Sequence, residues 1–292
     1  MGIATFTPQF SDYGANTWAS NPNQAATKAV IANICDILSR GLFIPNGADC
    51  TMTIDFGNNA VGPSGTDPGG AASFPNLGNT HAYSALRSAY QNTSNKNSIQ
   101  TLAWADTNIP AVDPINDGPY QQTTALQYAL GLSAAPANPV AYVGVTSASY
   151  PDLDINGLGA GVNYFEAIFH EVTECLGRRL PEEFWWYDGV GSHQIIKANA
   201  RYMSYDGGTL ASKIYQMTTT GSDAWDTDGS VQTAYSASVL TGAVSRTSVL
   251  PGFANDWLTL TVVGWGLTTT GLGWAGLTTP ATGPVGLIGL RR

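Results

Sequence analysis

Hydrophobic positions recur every three to four residues in some stretches of this chain and every second residue in others, and the change of spacing predicts its elements. After Asn21-Pro22, a cap followed by proline, Val30, Ile31, Ile34, Cys35 and Leu38 recur at helical spacing until Gly41. In Thr51-Met-Thr-Ile-Asp-Phe56, Met52, Ile54 and Phe56 alternate with polar residues, the pattern of a half-buried strand. Residues 57–78 are dense in Gly, Pro, Asn and Ser and read as a long loop. Helices are expected at 81–92 and 121–130, the second stopped by Gly131, with strands at 100–105 and 139–146. A further helix is expected at 165–180, and a last strand is expected at 257–263, where Leu258, Leu260 and Val262 share a face. This order predicts an α+β chain in which the 165–180 helix lies against a mixed sheet.

Composition narrows the class. The chain has 292 residues, 43% of them apolar, enough to bury a full core. Only 11% are charged, against about 25% in an average domain, so the polar surface rests on Thr, Ser, Asn, Gln and Gly. Surfaces of this kind suit secreted proteins and virus particles. A net charge of −9 excludes a phosphate-tracking groove, and nucleic acid is not an expected partner. Cys35, Cys50 and Cys175 form no CxxC pair; buried thiols are expected, with one Cys35–Cys50 disulfide as the alternative. No run reaches the roughly 18 apolar residues of a membrane helix, and the opening Met1-Gly-Ile-Ala-Thr-Phe-Thr-Pro carries no signal-peptide pattern.

The chemistry concentrates at 165–180. His170 and Glu174 stand four residues apart and so share a helix face, Glu171 follows the histidine, and Gly177 permits a sharp turn. Imidazole and carboxylate are both zinc donors, and a glutamate directly after the first ligand is the general base of zinc-peptidase helices. Phe165, Ile168, Phe169, Val172 and Leu176 make the opposite face apolar, so a core helix with an incidental polar stripe is the competing reading. Upstream, Asp152-Leu-Asp-Ile-Asn-Gly157 has the alternating oxygens of half a calcium loop: Asp152, Asp154 and Asn156 are candidate ligands, and an Asx-rich turn is the alternative. Phe184-Trp-Trp-Tyr187 reads as a packing cluster or the lining of a peptide or sugar cleft.

The His-Glu-x-x-Glu helix with Gly177, followed by Arg201-Tyr-Met-Ser-Tyr205, resembles the metzincin clan of zinc metallopeptidases, in which a His-Glu-x-x-His-x-x-Gly helix precedes a methionine turn. The glutamate in place of histidine, followed by Leu-Gly-Arg, is also similar to a group of bacterial metalloproteases with a His-Glu-x-x-Glu helix. The resemblance implies His170 as first ligand, Glu171 as general base, Met203 beneath the metal, and Tyr205 as a phenol that binds metal or steadies an oxyanion. Glu174 replaces the second histidine, and Leu180 stands where the clan's third ligand belongs. A substitute donor would come from Glu183, Asp188, His193 or Tyr205, and a set richer in carboxylate suits zinc or a harder metal.

The expectation is therefore an α+β, metzincin-like mixed sheet with an active-site helix, an irregular C-terminal half and an extended tail. Its divisions are an N-terminal extension at 1–21, a main domain at 22–264, and a tail at 265–292 rich in Gly, Thr and Trp. The near repeat of Gly264-Trp-Gly-Leu-Thr-Thr and Gly273-Trp-Ala-Gly-Leu-Thr-Thr makes that tail either a strap over its own domain or an anchor into other particle proteins or a second copy. Two functions follow. The first is a structural or host-attachment component of a particle, such as a phage virion, built on a peptidase-like domain with an altered site. The alternative is a secreted or virion-borne endopeptidase with zinc, and calcium as a further ion. Either places the chain in a virion or outside the cell, with a host surface or a peptide as ligand.

Overall fold

The computed structural model describes residues 1–65, 71–106, 108–109, 111–113, 119–154, 164–178, 194–197, 200–204, 213–217, 254–275 and 277. Strand β1 (Gly2–Ser11) leads into helix α1 (Gln24–Gly41), and the chain returns through β2 (Leu42–Ile44) and β3 (Cys50–Asn58). Then come β4 (Ala71–Pro75), β5 (Leu77–His81), α2 (Tyr83–Asn92), α3 (Ser98–Ala103), β6 (Tyr120–Thr123), α4 (Thr124–Ala129), β7 (Ala141–Val145) and α5 (Tyr164–Thr173). A π turn (Glu174–Arg178) follows α5. Strands β8 (Gln194–Lys197), β9 (Ala200–Ser204) and β10 (Lys213–Met217) form an antiparallel three-stranded sheet. Last are α6 (Ala254–Val263), β11 (Gly266–Leu267) and α7 (Thr269–Trp274).

The main sheet has six strands in the order β11-β2-β1-β3-β7-β4. β1, β3 and β7 run parallel, whereas β2, β11 and the edge strand β4 pair antiparallel to their neighbours. The alternation read at 51–56 is the burial pattern of β3: Met52, Ile54 and Phe56 are at most 1% exposed. They meet the apolar face of α1, on which Val30, Ile31, Ile34 and Leu38 are fully buried. Helices α1 and α5 pack side by side there, and α6 and α7 close over them. Gly41 is required where α1 ends, because a Cβ would stand 2.4 Å from the Trp257 ring.

Two predicted strands are helices. Of the stretch expected as a strand at 100–105, residues 100–103 belong to α3, which a capping box starts: Asn97 accepts from the Gln100 backbone N–H, and the Gln100 side chain accepts from the Asn97 N–H. The stretch expected as a strand at 257–263 is α6, in which Trp257, Thr259, Leu260, Thr261 and Val262 are all 0% exposed. Burial on every side removes the amphipathic signature, and a short apolar run then reads equally as strand or helix. The expected loop at 57–78 contains the end of β3, all of β4 and the start of β5. His81 closes β5, and residues 121–123 belong to β6 before α4 begins.

Residues read as an N-terminal extension supply β1, between β2 and β3 in the sheet. Its Pro8 pairs on the β3 side only, since the register with β2 stops at Ile3, so the missing N–H breaks no ladder bond. Within the described part of the tail, β11 pairs with β2, and the Thr268 N–H and hydroxyl bond to the carbonyls of Gly41 and Arg40. Trp274 packs on Trp257 at 5.0 Å between centroids. All three cysteines are thiols, Cys35 and Cys175 buried, so no Cys35–Cys50 disulfide forms. Among the described residues no helix is long and apolar enough to cross a membrane.

Candidate metal centre

Helix α5 is buried along its whole length. Its apolar side is fixed by Phe165 and Phe169, stacked at 6.0 Å, and by Phe169 against Trp257 at 6.1 Å. Its other side carries Glu166, His170, Glu171 and, one step beyond, Glu174, which are 9%, 7%, 7% and 2% exposed. Four ionisable side chains in little more than two turns are thus withdrawn from water, an expensive arrangement unless each is given a partner.

The helical spacing places His170 against Glu174, with Nε2 3.3 Å from Oε1. The other carboxylate oxygen accepts from Ser73 Oγ at 3.4 Å, which ties the site to the edge strand β4. Thr173 Oγ1 donates to the His170 carbonyl at 2.9 Å. After Thr173 the helix widens into the π turn and ends at Gly177, whose φ of 103° belongs to glycine. A Cβ there would also lie 2.5 Å from Leu126 Cδ2. Single π turns recur where a helix must present a side chain out of its regular phase.

Imidazole nitrogen and carboxylate oxygen are both donor types that zinc accepts. Two ligands each about 2.1 Å from a tetrahedral zinc stand about 3.4 Å apart, close to the spacing of His170 Nε2 and Glu174 Oε1. Glu183, Asp188, His193 and Tyr205 lie outside the described residues, and so does Asn156. Met203 is in β9, paired in register with Gln194 and Tyr215. No group of three metal-binding side chains occurs among the described residues. At the calcium candidate, Asp152 Oδ1 accepts from the Asp154 N–H at 3.1 Å, an Asx turn, and the Asp152 carbonyl accepts from the Tyr164 N–H at 2.9 Å.

Sequence reasoning missed two residues of this surrounding. Ser73 was hidden in a stretch read as loop. Trp265, noticed only as part of a repeat, is fully buried and donates from Nε1 to the Leu176 carbonyl inside the π turn at 2.8 Å. Gln122 on β6 is also 0% exposed, with neither side-chain amide atom hydrogen bonded, and its strand packs against the same turn. Comparison of the chain with protein-family models, curated proteins and solved structures found no match.

Proposed function

We propose that the chain is a metal-dependent peptidase whose ion is held by His170 and Glu174, with its further ligand among Glu183, Asp188, His193 and Tyr205. The observation that carries this reading is the His170–Glu174 pair, buried on one helix face at a spacing that suits two ligands of one ion. A scaffold would gain nothing from such a pair, because well-packed apolar residues of similar volume serve a core equally well or better. A bound zinc would supply Lewis acidity and a water of lowered pKa. Glu171, next in sequence to His170 and buried with it, is assigned the proton: its carboxylate takes it from the attacking water and returns it to the leaving amine. Strand β4 supports a peptide as substrate. It lies at the end of the sheet, touches Glu174 through Ser73, and pairs only with β7 among the described strands, and an extended chain adds to such an edge by main-chain hydrogen bonds.

Elemental mass spectrometry of the purified chain tests this. About one zinc per chain is expected, lost in both His170→Ala and Glu174→Ala and retained in Glu171→Gln, which abolishes peptide hydrolysis. Absence of metal under zinc-replete conditions overturns the proposal.

A second reading, a particle component serving assembly or host-surface attachment, is favoured by the low charge and by the Gly-Trp repeat of the tail. It predicts a discrete oligomer in sedimentation velocity that is unchanged by chelator. A metal-loaded monomer argues against it.

A further inference from the structure

The carbonyls of a helix's last turn have no partner within the helix and fray unless something outside holds them. Here the turn after α5 contains Glu174, so whatever holds its carbonyls also sets where that carboxylate stands. Trp265 does this from a distant part of the chain. Its indole N–H reaches the Leu176 carbonyl, two residues beyond Glu174, at 2.8 Å, and both residues are fully buried. The indole is itself seated from three sides. Its ring packs on Phe6 of β1 at 5.6 Å, its carbonyl accepts from Gln100 Nε2 at 2.9 Å, and its backbone N–H bonds to the Leu260 carbonyl at 3.0 Å. An anchor fixed to β1, α3 and α6 cannot follow the turn if the turn loosens.

We propose that Trp265 is a positioning residue: through the Leu176 carbonyl it fixes the π turn and holds the Glu174 carboxylate against His170. Its consequence for metal binding rests on the peptidase reading; its consequence for the turn does not.

The structure contains its own control. Trp104 is buried in the same way and makes the same kind of bond, from Nε1 to the Val262 carbonyl at 2.9 Å, but its indole donates into α6 instead of into the turn. Trp265→Phe and Trp104→Phe, in the full chain, each remove one indole–carbonyl hydrogen bond and keep an aromatic ring. Hydrogen exchange resolved by peptide and zinc affinity by chelator competition are measured on both. In Trp265→Phe, exchange at residues 174–178 accelerates tenfold or more and zinc binds about tenfold more weakly, the scale of a lost outer-shell partner. In Trp104→Phe both stay within about twofold of wild type at a comparable fall in melting temperature. Exchange at the turn that is unchanged in Trp265→Phe, or equally fast in Trp104→Phe, overturns the positioning role. Wild-type chain that takes no zinc, with the turn still opened in Trp265→Phe, sinks the metal reading alone. Should Trp265→Phe fail to fold, Gln100→Met removes the amide bond to the Trp265 carbonyl, together with its bond to Thr261 and its part in the α3 cap, and opens the same turn by a smaller factor; no opening there overturns the proposal.

Discussion

Helices α1 and α5 lie side by side on one face of the sheet, and each carries a pair of opposite ionisable groups four residues apart. In α1 the pair is Asp36 and Arg40, 2.8 Å apart with side chains 60% and 52% exposed. At α5 it is His170 and, in the π turn that continues the helix, Glu174, 3.3 Å apart with side chains 8% and 3% exposed. The covalent spacing is the same and the physics is opposite. Water screens the first pair, so either member can be lost at little cost. The second pair is shielded, so each member depends on the other, on Ser73 and on whatever else the site holds. A helix can bury such groups without local benefit when the site they form does chemistry.

The strongest way to break this contrast is to truncate one member of each pair. Glu174→Ala is expected to cost about 3 kcal/mol or more in urea unfolding, because it removes the carboxylate of a buried pair and leaves a hole beside the imidazole. Loss of less than about 1 kcal/mol would make the α5 pair no different from an exposed one. Gly177→Ala comes next, at about 2 kcal/mol, since φ of 103° and the Leu126 side chain both oppose a Cβ. Gln122→Met sharpens the comparison from the other side. Removing an amide that is buried with no partner is expected to raise stability by about 1 kcal/mol.

Helix α1 has a hidden polar group of its own in Cys35, whose thiol burial pushes up to about 12 from 9.0, and Tyr83 on α2 is likewise raised to about 12 from 10.0, chiefly by burial. Both groups fold in their neutral form. The stability they contribute is complete below pH 9 for the thiol and below pH 10 for the phenol, and is lost as pH rises toward 12. Urea midpoints should thus fall above pH 9, and Cys35→Val should flatten the first part of that fall; an unchanged slope would place the sensitivity elsewhere. The smallest effect belongs to Asp36→Ala, within about 0.5 kcal/mol and vanishing in high salt.

What the sequence made legible follows from how local each signal is. Helix α1, strand β3 and helix α5 declare themselves because one face of each is apolar and the other is not, and β7 because a β-rich run stands between turn residues. Helix α6 does not, since Thr259 and Thr261 are buried as deeply as Leu260 and leave no polar face to count. Strand β1 alternates, with Ala4 and Phe6 buried between Ile3, Thr5 and Thr7, but its proline and its place at the chain's start made it read as an extension. At the site, His170, Glu171 and Glu174 were visible because one helix brings them together. Ser73 and Trp265 were not, because 101 and 89 residues separate each from the group it touches. Composition favours a particle component, whereas only the fold reveals how deeply the α5 pair is buried.

The tail segment that crosses from β11 to β2 also bears on time. Its hydroxyl contact from Thr268 to Arg40 joins positions 228 residues apart. Closing so long a span yields almost no contact energy until it is nearly complete, which slows folding in proteins dominated by distant pairings. A chain growing from its N-terminus makes α1 and β2 long before α6, β11 and α7 exist to cover them. The part of the α1 surface that α7 covers therefore stays open through most of synthesis, when a nascent chain is most exposed to aggregation. A protein closed by its late-made residues is one that cells keep waiting before it can work.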